Sequence, residues 1–239
     1  GMQALGEKAL VPFFTAGYPD EETFCDIEGA AAAAGCSVME IGIPFSDPMA
    51  DGPVIQQSSR VALEHGMTLR RALDLTASLS NEVDVGFVFM SYINPLLRMG
   101  FGDYAARAHD AGVRGTIVPD LPLEESGEIR STFAGTGMAL VDLVAPTSGE
   151  ERIRRLGTGA DGFLYLVSLT GVTGVRGHLS RDLGAFVSRV RAHTGVPLYV
   201  GFGVSGPEQA AHVSQHADGV IIGSALVRII QQTATGEEA

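Results

Sequence analysis

The phrase Glu40-Ile41-Gly42-Ile43-Pro44-Phe45-Ser46-Asp47-Pro48-Met49-Ala50-Asp51-Gly52-Pro53 sets three carboxylates close together. Glu40 lies inside an apolar run, and Asp47 and Asp51 lie in the Pro- and Gly-bracketed loop that follows. A carboxylate inside a strand is costly unless it faces a cavity or has a partner. In an arbitrary strand the ordinary reading is a salt-bridged residue. An acid on a strand beside an acid on the next loop, however, is how a barrel enzyme places a proton donor and a proton acceptor around one substrate. Either Asp47 or Asp51 could be the second acid beside Glu40, and the ordinary reading of an aspartate in such a loop is that it caps the loop. Three Gly-rich stretches come later: Gly171-Val172-Thr173-Gly174, Gly201-Phe202-Gly203-Val204-Ser205 and Gly223-Ser224. Glycine lets the backbone approach phosphate oxygens, a helix N-terminus favours the anion, and Ser224 adds a hydroxyl donor. Any turn uses glycine, but three such stretches at consecutive strand ends indicate a phosphate site.

These residues need elements to hold them. Strands are expected over residues 9–15, 38–43, 83–92, 115–118, 138–144, 162–168, 197–201 and 219–222, with helical patterns between them. Nearly unbroken apolar runs such as 83–92 suit parallel strands covered on both faces. Asp20 is placed to cap a helix that ends at Gly35, and residues 93–102 read as a loop. Ser148-Gly149-Glu150-Glu151 and Ser205-Gly206-Pro207-Glu208 read as capping boxes. The alternation points to an α/β fold, a single (βα)8 TIM barrel over residues 1–239. Every strand ends in a Gly, Pro, Asp or Asn loop, as if eight ends faced one site, whereas an open doubly wound sheet uses a single switch point.

The 239 residues are 45% hydrophobic, enough for a sizeable core. A net charge of −12 argues against nucleic acid or an anionic membrane as partner, without excluding a phosphorylated small molecule. Cys25 and Cys36 form no metal or disulfide pattern and read as small buried residues in a reducing, cytoplasmic setting. No signal peptide or long apolar span is evident, and Gly1 ahead of Met2 reads as a cloning remnant. His212 and His216, four apart on a helix, could ligate metal. With no third ligand evident nearby they read as a solvated helix face.

The acidic phrase from Glu40 to Gln56 closely resembles the signature of the tryptophan synthase α subunit family. Support runs in order along the chain: Pro12 to Asp20, Tyr92-Ile93-Asn94-Pro95, Pro119-Asp120-Leu121-Pro122, Gly171 to Gly174, Gly201-Phe202-Gly203 and Gly223-Ser224-Ala225. The resemblance implies retro-aldol cleavage of indole-3-glycerol phosphate to indole and glyceraldehyde 3-phosphate, with no metal or organic cofactor. It implies Glu40 as the acid/base, Asp51 facing the indole N–H, and Tyr165 lining the pocket near the glycerol phosphate. Phe13 and Phe202 would flank the indole, Gly174, Gly203, Gly223 and Ser224 would hold phosphate, and Thr173 would close over the substrate. It also implies a tryptophan synthase β subunit as partner in an α2β2 assembly, met through the loops from Ser46 to Pro53, Asn94 to Gly102 and Asp120 to Glu125. Against the family pattern, few residues precede the first strand or follow Gln232, so shortened N- and C-terminal helices are expected.

Two rivals remain on the sequence alone. Other phosphate-sugar barrels usually carry a strand lysine, and the only lysine here is Lys8, at the edge of the first strand. A catalytically silent subunit has no physical reason to keep a strand carboxylate that is costly to bury.

Overall fold

The computed structural model describes residues 8–167, 176–201 and 203–235, with side chains for all of these except 176–181, 234 and 235. Nine strand segments form one parallel sheet: β1 (Ala9–Thr15), β2 (Val38–Gly42), β3 (Gly86–Met90), β4 (Val113–Ile117), β5 (Ala139–Val141), β6 (Leu143–Val144), β7 (Leu164–Val167), β8 (Leu198–Gly201) and β9 (Gly219–Ile222). Their order is β5-β4-β3-β2-β1-β9-β8-β7-β6. The two ends of that order are one stretch of chain. β5 pairs with β4, β6 pairs with β7, and at Asp142 between them the backbone carbonyl accepts from the Tyr165 N–H at 3.0 Å. The eight-strand ring expected of a TIM barrel therefore closes through Asp142. The Asp142 carboxylate is held from outside by Arg130, 2.8 and 3.0 Å away.

Among the described residues, ten α-helices stand between and after the strands: α1 (Glu21–Ala33), α2 (Pro53–Glu64), α3 (Leu69–Leu79), α4 (Ile93–Met99), α5 (Phe101–Asp110), α6 (Gly127–Ala134), α7 (Glu150–Thr158), α8 (Arg176–Arg191), α9 (Pro207–Ser214) and α10 (Ser224–Thr235). Local chemistry explains where two of them begin. Asp20 accepts from the Thr23 N–H at 2.9 Å, and Gly35, with φ of 96°, ends the α1 segment as a C′ glycine. Thr68 caps α3 in the same way.

The helical layer departs from the sequence reading in several places. Residues 93–99 are helix α4 rather than loop. Pro95 falls in the first turn, where its missing N–H removes no bond, and the Asp120 carboxylate accepts the Ile93 N–H at 2.9 Å. Neither capping box forms, because each helix starts one residue later than the box needs. The N-caps are Gly149 and Gly206; Ser148 Oγ instead accepts from Ala145 N–H, and Ser205 bonds to Gln209 Oε1. The last helix begins at Ser224 and reaches Thr235, beyond the expected end at Gln232. Cys25 and Cys36 are half-buried free thiols rather than core residues.

Because neighbouring strands are all parallel, their C-terminal ends share one rim, as do the segments that follow them. α2 is tied to that rim by a buried hydroxyl pair, Thr15 Oγ1 to Ser58 Oγ, at 2.6 Å. The opposite end of the barrel is filled by Phe163 stacked on Tyr199, centroids 4.4 Å apart, with Tyr199 lying across Gly219. Lys8 is held at that end by the Ala217 carbonyl, far from the rim. No described helix is long and apolar enough to cross a membrane.

Candidate active site

The strand register puts Glu40 beside Phe13 on one side and Val88 on the other, in the same lateral row. Glu40 is 1% exposed, and neither of its carboxylate oxygens has a hydrogen-bond partner. The salt-bridged reading of a strand glutamate is therefore wrong here. Burial, and after it the charge of Asp51, push its carboxyl up to about 8.

Asp51 lies after β2, just ahead of α2. Burial lifts its carboxyl to about 6, against the lowering effect of a hydrogen bond from the Tyr92 hydroxyl at 3.2 Å. Tyr165, on β7, is fully withdrawn from water. Its hydroxyl is raised well above the ordinary value, first by burial and then by the charges of Glu40 and Asp51. β2 and β7 are separated around the ring by β1, β9 and β8. Tyr165 can feel those acids only across the barrel interior, so the three groups share one interior space.

Small residues shape the wall of that space. The Phe13 ring lies against Gly42 of β2 and reaches Gly223 after β9, where a Cβ would sit 3.3 Å from Cδ1. A side chain at Gly42 would collide with that ring, and one at Gly201 would collide with the Tyr165 hydroxyl. Glycine at both positions is what lets the two aromatic rings lie where they do. Gly203 follows β8 with φ of 76°, a left-handed conformation that favours glycine. Ser224 opens α10, whose first-turn N–H groups have no intrahelical acceptor. Phe13, Glu40, Asp51, Tyr165, Gly223 and Ser224 are thus gathered at or just below one rim. Thr173, Gly174 and Phe202, with Gly171 and Val172, lie outside the described residues.

Asp47 is exposed and stays within its loop, accepting from Ser46 Oγ through its side chain and from Met49 N–H through its carbonyl. The sequence reading missed Tyr92 as a functional residue. Its hydroxyl donates to Asp51 Oδ2 and accepts from Ala50 N–H at 2.8 Å, and its ring stacks on Phe45 with centroids 5.1 Å apart. Tyr92 thereby sets the shape of the acidic loop from the neighbouring strand. Its only sequence signal was its place at the end of a strand, just before Asn94-Pro95. Among the described residues, no three His, Cys, Asp or Glu side chains cluster as a metal set.

Comparison with known proteins gives the family. A family model described as tryptophan synthase alpha chain matches residues 2–239. The tryptophan synthase alpha chain of Nitratidesulfovibrio vulgaris (strain DP4) is 45% identical over 226 residues, spanning 95% of this chain and 88% of that protein. The corresponding protein of Desulfosudis oleivorans is 46% identical over 232 residues, 97% of this chain and 88% of that one. The crystal structure of tryptophan synthase subunit alpha from Legionella pneumophila str. Paris superposes with a TM-score of 0.91 at 35% identity, covering 99% of this chain and 88% of that chain. A barrel with two interior acids at one rim and this breadth of likeness place the chain in the tryptophan synthase alpha chain family.

Proposed function

We propose that Glu40 and Asp51 carry the proton and charge work of this family's lyase reaction, the retro-aldol cleavage of indole-3-glycerol phosphate to indole and glyceraldehyde 3-phosphate in tryptophan biosynthesis. The observation that carries the assignment is the pair itself. Between about pH 6 and pH 8, Glu40 keeps its proton while Asp51 is ionised, which sets a buried acid near a part-buried anion. Glu40 donates its proton to C3 of the indole ring, leaving a cationic ring whose N–H is stabilised by the Asp51 carboxylate. The Glu40 carboxylate then removes the proton of the hydroxyl next to the scissile bond. The C–C bond breaks, its electrons return to the ring, the aldehyde leaves, and Glu40 is protonated again.

In this reading Tyr165 lines the pocket beside the glycerol phosphate and Phe13 supports one face of the indole. Gly203, Gly223 and Ser224 receive the phosphate at the head of α10, where backbone N–H groups and the helix dipole favour an anion. Thr173, Gly174 and Phe202 are assigned to loop closure, phosphate and the second indole face by their match to the family. Measuring indole released from indole-3-glycerol phosphate tests the reading directly. Undiminished turnover in Glu40→Gln would overturn the assignment of the acid.

A β subunit is the expected partner, engaged through the segments from Ser46 to Pro53, Asn94 to Gly102 and Asp120 to Glu125. Two of these expose apolar side chains at the active rim, Met49 at 94% and Leu97 at 54%. An exposed apolar residue at such a rim suits an interface core. Met49→Asp and Leu97→Asp should each abolish stimulation of indole release by added β subunit while sparing the unstimulated rate.

A further inference from the structure

We propose that His212 and His216 form a two-imidazole site for a borderline divalent cation such as nickel, copper or zinc, on the seam between α8 and α9. His212 lies in the last turn of α9, and His216 lies in the turn that follows, where its N–H bonds to the Val213 carbonyl at 3.0 Å. The four-residue spacing brings the two rings together, with centroids 5.4 Å apart and planes at 74°. Two imidazoles joined through Nε2 to one tetrahedral zinc, at ~2.0–2.1 Å each, hold their centroids roughly 5 Å apart. The observed centroid separation is close to that value.

The second observation is the state of the nitrogens. His212 Nε2 and His216 Nε2 are both withdrawn from solvent, and neither has a hydrogen-bond partner. Buried polar atoms without partners are rare, and a pair of them on adjacent rings asks for a water or an ion. Both residues are half-buried, so the solvated-face reading fails at Nε2 and not for the whole side chains. Two other histidines make bonds instead, His65 Nδ1 to the Pro19 carbonyl and His193 Nε2 to Glu150. The neighbouring helix α8 comes close to the second of the two rings. Gly184 of α8 lies so close that a Cβ there would meet His216 Nδ1 at 3.2 Å.

Neutral imidazole suits nickel, copper and zinc, whereas magnesium and calcium prefer oxygen ligands. Because no third His, Cys, Asp or Glu joins the pair among the described residues, water completes the coordination. The bound cation would pin the end of α9 and the turn that leads into β9, away from the rim that carries the acids.

The test is calorimetric titration of the tag-free full chain with nickel(II) chloride. One equivalent should bind to the wild type, at least about tenfold more weakly to His212→Ala and His216→Ala, and unchanged to His109→Ala and His193→Ala. No binding to the wild type, or equal binding to His212→Ala and His216→Ala, overturns the proposal. Should those variants fail to fold, copper(II) added to the wild type and followed by NMR gives an independent reading. Selective broadening of the His212 and His216 ring signals supports the site, and broadening confined to other histidines overturns it.

Discussion

Glu28 and Glu40 both lie out of water, at 0% and 1% exposed. None of their four carboxylate oxygens has a partner, and burial pushes each carboxyl up to about 8. By burial and protonation the two residues are nearly indistinguishable. Their surroundings differ. Glu40 stands inside the barrel, where a second acid, a buried tyrosine and the rim lie within electrostatic reach. Glu28 stands on the covered face of α1 with Phe24, outside the strand ring, and it is the half-buried thiols of Cys25 and Cys36 that feel its charge. A raised carboxyl therefore reports only that water has been excluded. A role in proton transfer also needs a second group to define a reacting position between them.

The sharpest way to break this comparison is to neutralise each acid in turn. Glu40→Gln should lower indole release by about 10³-fold, within the usual span for a lost general acid, while Glu28→Gln should leave turnover within about twofold. Equal losses would mean that burial alone, and not neighbouring groups, marks the site. Asp51→Asn should cost about 10²-fold and still bind a phosphate-bearing substrate analogue.

The pH dependence sharpens it further. kcat/KM should rise as Asp51 ionises near pH 6 and fall as Glu40 loses its proton near pH 8. Tyr92→Phe removes a hydrogen bond that favours the Asp51 anion, so it should move the acidic limb upward and slow turnover at pH 7 by about tenfold. An unmoved acidic limb would show that Tyr92 does not position Asp51.

Stability tests the comparison on a separate axis. Below pH 4.5, the ordinary value, Glu28 is protonated in both folded and unfolded chains. As pH rises toward about 8 the unfolded chain releases the proton and the folded chain keeps it, so this group's contribution to stability falls through that window. Glu28→Met removes the fall. It should raise stability at pH 8 by on the order of a few kcal/mol relative to its effect at pH 4.5, as read by denaturant midpoints. Glu40→Gln should flatten the same loss. Only activity then separates the two residues, which is the content of the comparison.

Much of this was legible in the chain. β1 and β9 fall on their expected residues, and Glu40 stood out because one charge inside an apolar strand is a local anomaly that needs no partner to be seen. Glu28 gave a fainter signal. Phe24 four residues before it and Ala31 and Ala32 after it put it on the buried stripe of α1, but its helix also carries Glu21, Glu22 and Asp26 in ordinary exposed roles. The capping boxes misled because the Ser-x-x-Glu pattern fits more than one helix start, and packing chose the later one. Helix α4 was hidden because its first N–H is satisfied by Asp120, far along the chain.

By itself the sequence determined the alternation of strand and helix, the parallel barrel, the strand acid with its acidic loop, and the glycine turns. These follow from local periodicity and from which residues tolerate burial or tight backbone. The tertiary structure decided what meets across distance: the closure of the ring at Asp142, Tyr92 gripping Asp51, Tyr165 facing Glu40 through the interior, and the two imidazoles turned away from water. Those outcomes depend on strand register and on packing between elements remote in sequence, which no local pattern encodes.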